Sequence, residues 1–304
     1  MTSRSDRLSL IETFVRIVER GSISAAARDL GVSQASASRQ LAALEASVGA
    51  PLLNRTTHSI AFTEAGRSVL ATGRSLLSEW ESLVEDVSEG DGALSGSLKV
   101  VAPMALGQLH LTDAVLDFQV EHPGVDITWE LTDTEVRFAE TGCDLWVNIG
   151  MPEDDTLIVE EAGRVERMVV ASPELAAQLE APHPDGLTAL PGLALAPFEG
   201  ARIPLGNGRD TALVQSDAAL TTNDIFSLRR AAMRGLGYAV LPRWMVADEL
   251  ARGELVDMLP KWRAPELTVT CCYLPTQRLS RRLRTFRSSM VEAIVAVEGI
   301  VTVD

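Results

Sequence analysis

Residues 21–44 read GSISAAARDLGVSQASASRQLAAL, and this stretch predicts two short helices joined by a sharp turn. Ser22 or Ser24 stands where it can cap the first helix, and Ser33 stands where it can cap the second. A serine oxygen in that position accepts a hydrogen bond from an unpaired amide of the first helical turn. Gly31 follows the first helix, where glycine adopts a left-handed backbone without steric cost. The chain is therefore organised around a helical hairpin with a fixed corner.

The second of these helices has one apolar and one polar face. Ala37, Leu41 and Leu44 recur at helical spacing and are expected to turn inward. The polar face offers amide, hydroxyl and guanidinium groups with almost no carboxylate, from Gln34, Ser36, Ser38, Arg39 and Gln40. Such groups read base edges and phosphates in a DNA major groove. The alternative is a plain helical hairpin with a solvated polar face, which two amphipathic helices alone would favour.

The flanking residues favour DNA binding over that alternative. Residues 33–66, SQASASRQLAALEASVGAPLLNRTTHSIAFTEAG, resemble the N-terminal winged helix-turn-helix of LysR-type transcriptional regulators, and the match extends from Ala26 to Gly66. Ala35 stands where the family usually has a proline. Ala37 stands where the family usually has a larger apolar residue, which predicts a slightly underfilled local core.

The resemblance implies a DNA-binding transcriptional regulator whose second helix enters the major groove of double-stranded DNA. We predict the DNA-contacting residues to be Ser24, Ser33, Gln34, Ser36, Ser38, Arg39, Arg55 and Thr56. Arg55 and Thr56 would lie near the tip of the wing and fix the register on the DNA backbone. A solvated hairpin is the alternative interpretation of that wing.

The charge distribution qualifies this prediction. A net charge of −15 argues at first against nucleic acid, because neutralised phosphates supply most of the affinity for a duplex. Residues 1–66 contain seven arginines and six acidic residues, so this part has a net charge of +1 and the rest carries −16. A nearly neutral domain does not bind DNA tightly by charge alone. Two copies presented together, with helix amides and hydroxyls assisting, would supply the missing affinity.

Three further segments complete the N-terminal region. Apolar residues at helical spacing predict a scaffold helix from Arg7 to Arg20. LLNRTTHSIAFT, residues 52–63, alternates apolar and polar positions and predicts a two-stranded wing. A long helix is predicted from Thr63 or Glu64 to about Glu89, with apolar positions spaced alternately by four and three at Val69, Gly73, Leu76, Trp80, Leu83 and Val87. This heptad stripe predicts a homodimer paired through the helix, and the resemblance implies the same, with two dimers expected to form a homotetramer.

Composition fits a protein of more than one domain. At 304 residues and 46% hydrophobic content, the chain is long enough to bury sizeable cores. The first ten residues contain no signal-peptide core, and no apolar run approaches the roughly 18 residues of a membrane helix. Three cysteines, Cys143, Cys271 and Cys272, are too few for a disulfide framework. We therefore expect a reduced, cytoplasmic protein that does not interact with membranes.

Beyond residue 87 the pattern changes. SEGDGALSGS, residues 88–97, is rich in glycine and serine and predicts a hinge. Strand and helix patterns then alternate, which favours an α/β region with a mainly parallel sheet. LTTNDIFSLRRAAMRGLGYAVLPRWMV, residues 220–246, resembles the effector-binding region of the same regulators, which has two α/β subdomains like those of periplasmic binding proteins.

These observations divide the chain into three parts. We predict a winged helix-turn-helix at 1–63, a linker and dimerisation helix at 64–90, and an effector-binding domain at 91–304. The resemblance implies that subdomain I comprises 91–163 and 268–304, and that subdomain II comprises 164–267, with crossings near Arg164 and Leu267.

The resemblance also implies a small-molecule effector bound between the two subdomains. In open parallel sheets, ligands bind beyond the carboxyl ends of the strands. The residues that this rule selects are Pro103, Met104, Ala105, Thr132 with the adjacent Asp133, Asn148, Gly150, Phe198, Thr222 and Asn223. In the family, the loop corresponding to Met104 and Ala105 often supplies a hydroxyl that holds a ligand carboxylate, whereas the side chains here are apolar. The alternative is that these are ordinary strand-end loop residues.

An enzymatic function has little support in the sequence. The four histidines, 58, 110, 122 and 183, are scattered and show no metal-binding motif. Neither a GxSxG elbow nor a P-loop is present. Gly235 and Gly237 partly match a dinucleotide fingerprint, but Val240 replaces its third glycine. We expect no catalytic residues, metal or cofactor.

A second hypothesis comes from a different functional class. The chain could be a solute-binding protein that carries a helical dimerisation arm, with ligand affinity but no sequence-selective duplex binding. That class would ordinarily need an export signal.

Overall fold

The computed structural model describes residues 7–55, 60–87, 93–196, 202–215, 217–275 and 280–302. Its N-terminal part is helical with one small wing. The elements are α1 (Arg7–Arg20), α2 (Ile23–Asp29), α3 (Gln34–Val48), β1 (Leu53–Arg55), β2 (Ile60–Phe62) and the long helix α4 (Glu64–Val87). The scaffold helix, the helical hairpin, the wing and the long helix predicted from the sequence are all confirmed.

The N-terminal elements enclose one apolar core. Its buried members come from every helix and from the wing, and they include Leu10, Phe14, Ile17, Ala26, Leu41, Leu44, Leu52 and Leu70. The start of α4 is tied to the wing by Thr63, whose hydroxyl donates to the Pro51 carbonyl at 2.7 Å and accepts from the Gly66 amide at 2.9 Å. Gly73 allows α1 and α4 to cross closely, since a Cβ there would lie 2.8 Å from Ile11 Cγ2. The wing and α4 are thereby fixed relative to the helical hairpin.

The remaining elements form an α/β region. Its helices are α5 (Met104–Leu106), α6 (Thr112–Glu121), α7 (Phe138–Thr141), α8 (Pro173–Ala176), α9 (Ile225–Met233), α10 (Arg243–Arg252) and α11 (Arg281–Val295). Its longer strands are β3 (Ser95–Ala102), β4 (Gly124–Leu131), β5 (Leu145–Ile149), β6 (Ile158–Ala171) and β13 (Ala264–Tyr273). Its shorter strands are β7 (Gly192–Leu195), β8 (Arg202–Gly206), β9 (Thr211–Gln215), β10 (Ala218–Thr222), β11 (Ala239–Pro242), β12 (Val256–Asp257) and β14 (Ile300–Val301).

The predicted mainly parallel sheet is wrong in one respect. The main sheet has eight strands in the order β11-β6-β13-β5-β3-β4, with β12 and β14 also paired to β6. Only the β3 pairings with β4 and β5 are parallel, whereas β13 pairs antiparallel with both β5 and β6. The sheet is mixed because the late strand β13 inserts antiparallel between β5 and β6, and because β11, β12 and β14 also pair antiparallel with β6. No local sequence pattern shows these long-range pairings.

The long strands β6 and β13 pair antiparallel along most of their length, with two irregularities in the register. Their register places Leu267 opposite Val165 and Ala264 opposite Arg167, so β13 contains one extra residue between these pairs. This bulge exposes the Pro265 carbonyl, which accepts a hydrogen bond from Nε of the buried Arg167 at 2.9 Å. The bulge is therefore a regular structural feature of the ladder, held by a side-chain hydrogen bond.

Two local details differ from the sequence expectation. Strand β3 already begins at Ser95, so part of the predicted glycine-rich hinge is strand, while 88–92 lie outside the described residues. The helical segment after β3 is divided into α5 and α6 by a π-helical turn at Gly107–Leu111. In the described part of the chain, no helix has the length and apolarity needed to cross a bilayer.

Candidate nucleic-acid interface and effector cleft

The turn before α3 has the geometry that the sequence predicts. Gly31 has φ +64°, and the Val32 amide donates to the Ala27 carbonyl at 2.9 Å. Ser33 is the N-cap of α3, and its hydroxyl oxygen accepts from the Ser36 amide at 3.1 Å. Ser22 is the N-cap of α2, but its side chain makes no capping hydrogen bond. A side chain therefore caps the N-terminus of α3 but not that of α2.

The two faces of α3 separate as expected. Ala37, Leu41 and Leu44 are buried in the N-terminal core. Four of the predicted DNA-contacting residues are exposed, namely Ser24, Ser33, Gln34 and Arg39, while Ser36 and Ser38 are half-buried. The arrangement presents amide, hydroxyl and guanidinium groups to solvent on adjacent turns.

Gln40 is an exception to that polar face. Its Oε1 accepts a hydrogen bond from the Thr13 hydroxyl at 3.0 Å, and its Nε2 donates to the Ser9 hydroxyl at 3.3 Å. Gln40 therefore holds α3 against α1. A sequence pattern places residues on one face of a helix but does not show which polar residue meets the next helix.

The wing is a short antiparallel hairpin whose register pairs Leu53 with Phe62. Arg55 is the last residue of β1, and its side chain lies outside the described part. Thr56, the other predicted wing contact, also falls outside the described residues.

The apolar stripe on α4 is covered within the chain near the start of the helix and exposed farther along. Val69 packs on the N-terminal core and Gly73 lies against Ile11 of α1, so these two positions are covered within the chain. Farther along, four large apolar side chains are exposed by 41–53%, and these are Leu76, Trp80, Leu83 and Val84. Exposure on this scale marks a surface suited to a partner helix.

On the α/β region, three strand ends meet at one edge. Because β3 lies between β4 and β5 and is parallel to both, Pro103, Thr132 and Gly150 follow neighbouring strand ends. Asn148 lies within β5, one residue before its end. Among the predicted effector residues here, Met104 is 44% exposed, whereas Pro103 and Ala105 are buried. Thr132, Asn148 and Gly150 are half-buried.

Hydrogen-bond donors at this edge already have partners within the chain. The Met104 amide donates to Asp133 Oδ1 at 2.9 Å. Asn148 Nδ2 donates to the Gly150 carbonyl at 3.2 Å, and the Thr132 and Thr134 hydroxyls lie 2.9 Å apart. The residue types alone did not indicate that Asp133 caps this helix start.

The other predicted effector residues follow strands β7 and β10. These strands pair in parallel with Thr222 opposite Leu195, so Thr222 and Asn223 follow one strand end. Asp224 caps α9 by accepting from the Phe226 and Ser227 amides, each at 3.2 Å. The Ser227 hydroxyl and these amides lower the pKa of the Asp224 carboxyl. Phe198 falls outside the described residues.

An open groove of about 720 Å³ lies beside α9 and α10. Its lining is mostly charged and comprises Asp224, Phe226, Ser227, Arg229, Arg230, Met233, Arg234 and Glu249. The nearly buried Glu249 pairs with Arg229, with Oε1 and Nη1 3.4 Å apart. None of the predicted effector residues that the structure describes lines this groove.

The three cysteines lie in the interior of the α/β region. In the described part of the chain, no group of three His, Cys, Asp or Glu side chains is arranged to hold a metal ion. All three cysteines are buried, and burial raises the pKa of Cys271 to about 12. Such thiols are poor nucleophiles, because the thiolate is the reactive form.

Two family profiles together match most of the chain. Residues 8–67 match the bacterial regulatory helix-turn-helix protein of the lysR family. Residues 91–294 match the LysR substrate binding domain.

Individual relatives match over nearly their full length. The chain is 31% identical to the HTH-type transcriptional regulator PtxR of Pseudomonas aeruginosa, covering 94% of this chain and 92% of PtxR. It is 27% identical to the HTH-type transcriptional activator AaeR of Escherichia coli K12, covering 96% of this chain and 95% of AaeR.

Solved structures share the fold. Full-length AphB of Vibrio cholerae superposes with a TM-score of 0.58 at 23% identity, covering 94% of this chain and 98% of that one. A full-length OxyR variant of Pseudomonas aeruginosa gives a TM-score of 0.68 at 17% identity, covering 95% and 99%. The predicted architecture, a winged helix-turn-helix followed by an α/β region, is confirmed by these likenesses.

Proposed function

This chain belongs to the LysR family of DNA-binding transcriptional regulators, and from that premise we propose which of its residues bind DNA and a small-molecule effector. Regulators of this family bind DNA and small-molecule effectors and assemble as dimers and tetramers.

We propose that α3 enters the major groove and that Gln34, Ser36, Ser38 and Arg39 reach base edges or phosphates. The observation that carries this proposal is the exposed polar face of a helix whose opposite face is buried. Arg39 is suited to a bidentate contact with guanine, and Gln34 to a bidentate contact with adenine. Ser24 and Ser33 would contact phosphates, and Arg55 with Thr56 would contact the backbone from the wing.

Pairing through α4 would bring two such helices to one DNA site. The N-terminal region is close to neutral, so a single copy has few phosphate contacts to offer. Exposed Leu76, Trp80, Leu83 and Val84 supply apolar surface for a second copy of α4. Joining two modest sites raises the overall affinity through effective concentration and implies a two-fold symmetric operator.

We place the effector between the strand ends of the α/β region. Met104, Thr132, Asn148 and Gly150 would contribute from one subdomain, with Pro103 and Ala105 shaping the same loop. Thr222, Asn223 and Phe198 would contribute from the other. The proposed division, with crossings near Arg164 and Leu267, is supported by the β6–β13 register, which places Thr268 opposite Arg164 and Leu267 opposite Val165.

This function requires neither catalysis nor a cofactor, and we propose that the protein acts in the cytoplasm, where its DNA partner lies. A solute-binding protein with a dimerisation arm does not account for a helix-turn-helix profile match over residues 8–67. We therefore favour the regulator.

One experiment tests the DNA-binding surface directly. The full-length protein would be used to select duplexes from a random library, and the selected sequences would then be footprinted. We expect an inverted repeat whose half-sites are separated by about one helical turn, or a multiple of it. Selection that returns no common sequence, or a half-site without symmetry, would contradict the proposed arrangement.

A further inference from the structure

Arg74 on α4 joins three parts of the molecule. Its side chain is only 17% exposed although it is charged. Nη1 donates to the Glu140 carbonyl of α7 at 3.1 Å, and Nη2 lies 3.7 Å from Glu19 Oε1 on α1. The guanidinium of Arg74 therefore connects the long helix α4, on which it lies, with α1 of the N-terminal region and with α7 of the α/β region.

The approach to α7 depends on a glycine. Gly142 ends α7 with φ +68°, and a Cβ at that position would lie 2.6 Å from Arg74 Cζ. Only glycine combines this backbone conformation with this approach at no cost. Burial lowers the pKa of Arg74, and the carboxylates of Glu19 and Asp144 offset only part of that effect.

On one side, α7 is connected to the proposed effector cleft. Phe138 of α7 is buried in a small core with Val101 of β3 and Trp146 of β5. Strand β3 leads into Pro103, β5 contains Asn148 and leads into Gly150, and the segment that leads into α7 begins at Thr132. A displacement of the strand ends would therefore displace α7, because packed side chains connect them.

On the other side, Arg74 is connected to the DNA-binding helix. Glu19 lies on α1, which α4 crosses closely at Gly73. The same helix α1 holds α3 through the hydrogen bond between Thr13 and Gln40. Each contact of Arg74 is thus made with an element that adjoins one proposed site. Helix α7 packs beside the effector cleft, and α1 holds the DNA-binding helix α3.

We propose that Arg74 is a positioning residue that couples effector occupancy to the orientation of α3, through its paired contacts with α7 and Glu19. This inference rests on the proposed function, because it gives the two sites a physical connection. It predicts that a change made in α7 alters DNA binding only while Arg74 is present.

The test is a double-mutant cycle in the full-length protein. The probe is the tightest duplex selected from a random library by the parent, and its Kd is measured by fluorescence anisotropy. The variants are Gly142→Ala, Arg74→Gln and the two combined. Arg137→Gln is the matched control, because this exposed arginine beside α7 pairs with the Glu140 side chain and has no contact with α4 among the described contacts.

We expect Gly142→Ala to change Kd by about threefold or more in the parent and by less than about 1.5-fold when Arg74 is already glutamine. Arg137→Gln should leave Kd unchanged. If Gly142→Ala does not fold, Gly142→Asn replaces it, because asparagine tolerates a left-handed backbone. Additive effects of the two substitutions would overturn the proposal.

Hydrogen exchange of the peptide covering α1 gives a second readout that needs no DNA. We expect both Gly142→Ala and Arg74→Gln to speed exchange in α1, and Arg137→Gln to leave it unchanged. If the library yields no duplex, the proposed function fails while this measurement still tests the coupling. Exchange in α1 that is identical to the parent in both variants would overturn the coupling itself.

Discussion

The hydroxyl oxygen of Ser33 accepts a hydrogen bond from the Ser36 amide at 3.1 Å, and so satisfies one of the unpaired amides at the start of α3. Ser22 occupies the equivalent position before α2 without making such a bond. Two serines in one hairpin thus have the same place in the sequence pattern but different energetic roles.

Replacing Ser33 with alanine should lower the free energy of unfolding by about 1 kcal/mol, the usual cost of losing a helix cap. Ser22→Ala is the matched control and should cost clearly less, since no capping bond is lost. Urea denaturation of both variants measures the difference. Equal losses for the two serines would contradict the role assigned to Ser33.

Arg39→Ala should weaken binding to the selected duplex by about 1–3 kcal/mol, the range for one good base contact. The loss should be specific to the selected sequence, because a base contact carries sequence information and a phosphate contact does not. Titration against selected and scrambled duplexes distinguishes the two. Arg209→Ala, an exposed arginine far along the chain, should leave both affinities unchanged.

Trp80→Ala should weaken dimerisation by about 2 kcal/mol or more, as expected for an aromatic residue at the centre of an interface. The indole is 51% exposed in the single chain, so its removal should affect the unfolding of the monomer less than association. Sedimentation equilibrium measures the dimer constant. Ser68→Ala, at an exposed position of α4 outside the apolar stripe, is the control, and a dimer equally strong in both variants would refute pairing through this stripe.

The cap of α9 should make stability depend on pH. Hydrogen bonds from Ser227 and its neighbours lower the pKa of Asp224 in the folded protein, so the stabilisation is present above the unfolded pKa of about 3.9. It is lost as the pH falls through the lower folded value. The stability difference between the parent and Asp224→Asn should therefore be present at neutral pH and shrink below about pH 4. Asp217→Asn is the control, and acid titrations of unfolding that superpose for both variants would contradict this role.

The buried cysteines should resist alkylation in the native protein. Burial raises the pKa of Cys143 and Cys272 and raises that of Cys271 to about 12, so little thiolate forms at about pH 8. Iodoacetamide followed by mass spectrometry should label all three cysteines in urea and none in buffer. Rapid native labelling of any one of them would contradict its burial.

Local features of the fold follow directly from the sequence. Helix α1 and its end at Arg20 match the predicted helix, because apolar residues at helical spacing favour that structure locally. The turn at Gly31 and the Ser33 cap are likewise local backbone chemistry. The last helix begins one residue after Ser280, whose hydroxyl accepts from the Leu283 amide at 3.4 Å.

Features that depend on distant partners did not follow from the sequence. The antiparallel placement of β13 requires pairing with β5 and β6, which lie more than a hundred residues earlier in the chain for most pairs. The contact of Arg74 with Glu140 spans 66 residues, and the Asp133 cap on the Met104 amide spans 29. The effector residues were predicted from strand order, and their contacts with a ligand remain predictions.

The extended pairing of β6 with β13 has a mechanical consequence. A connection made of flexible loops would let the two halves of the α/β region swing freely, whereas a paired ladder can close only by flexing. We expect closure to be small and spring-like, because the ladder is paired on both sides of its two register irregularities. Binding of a small molecule in the cleft would then bend the β6–β13 ladder. The bent ladder would reopen the cleft when the molecule dissociates.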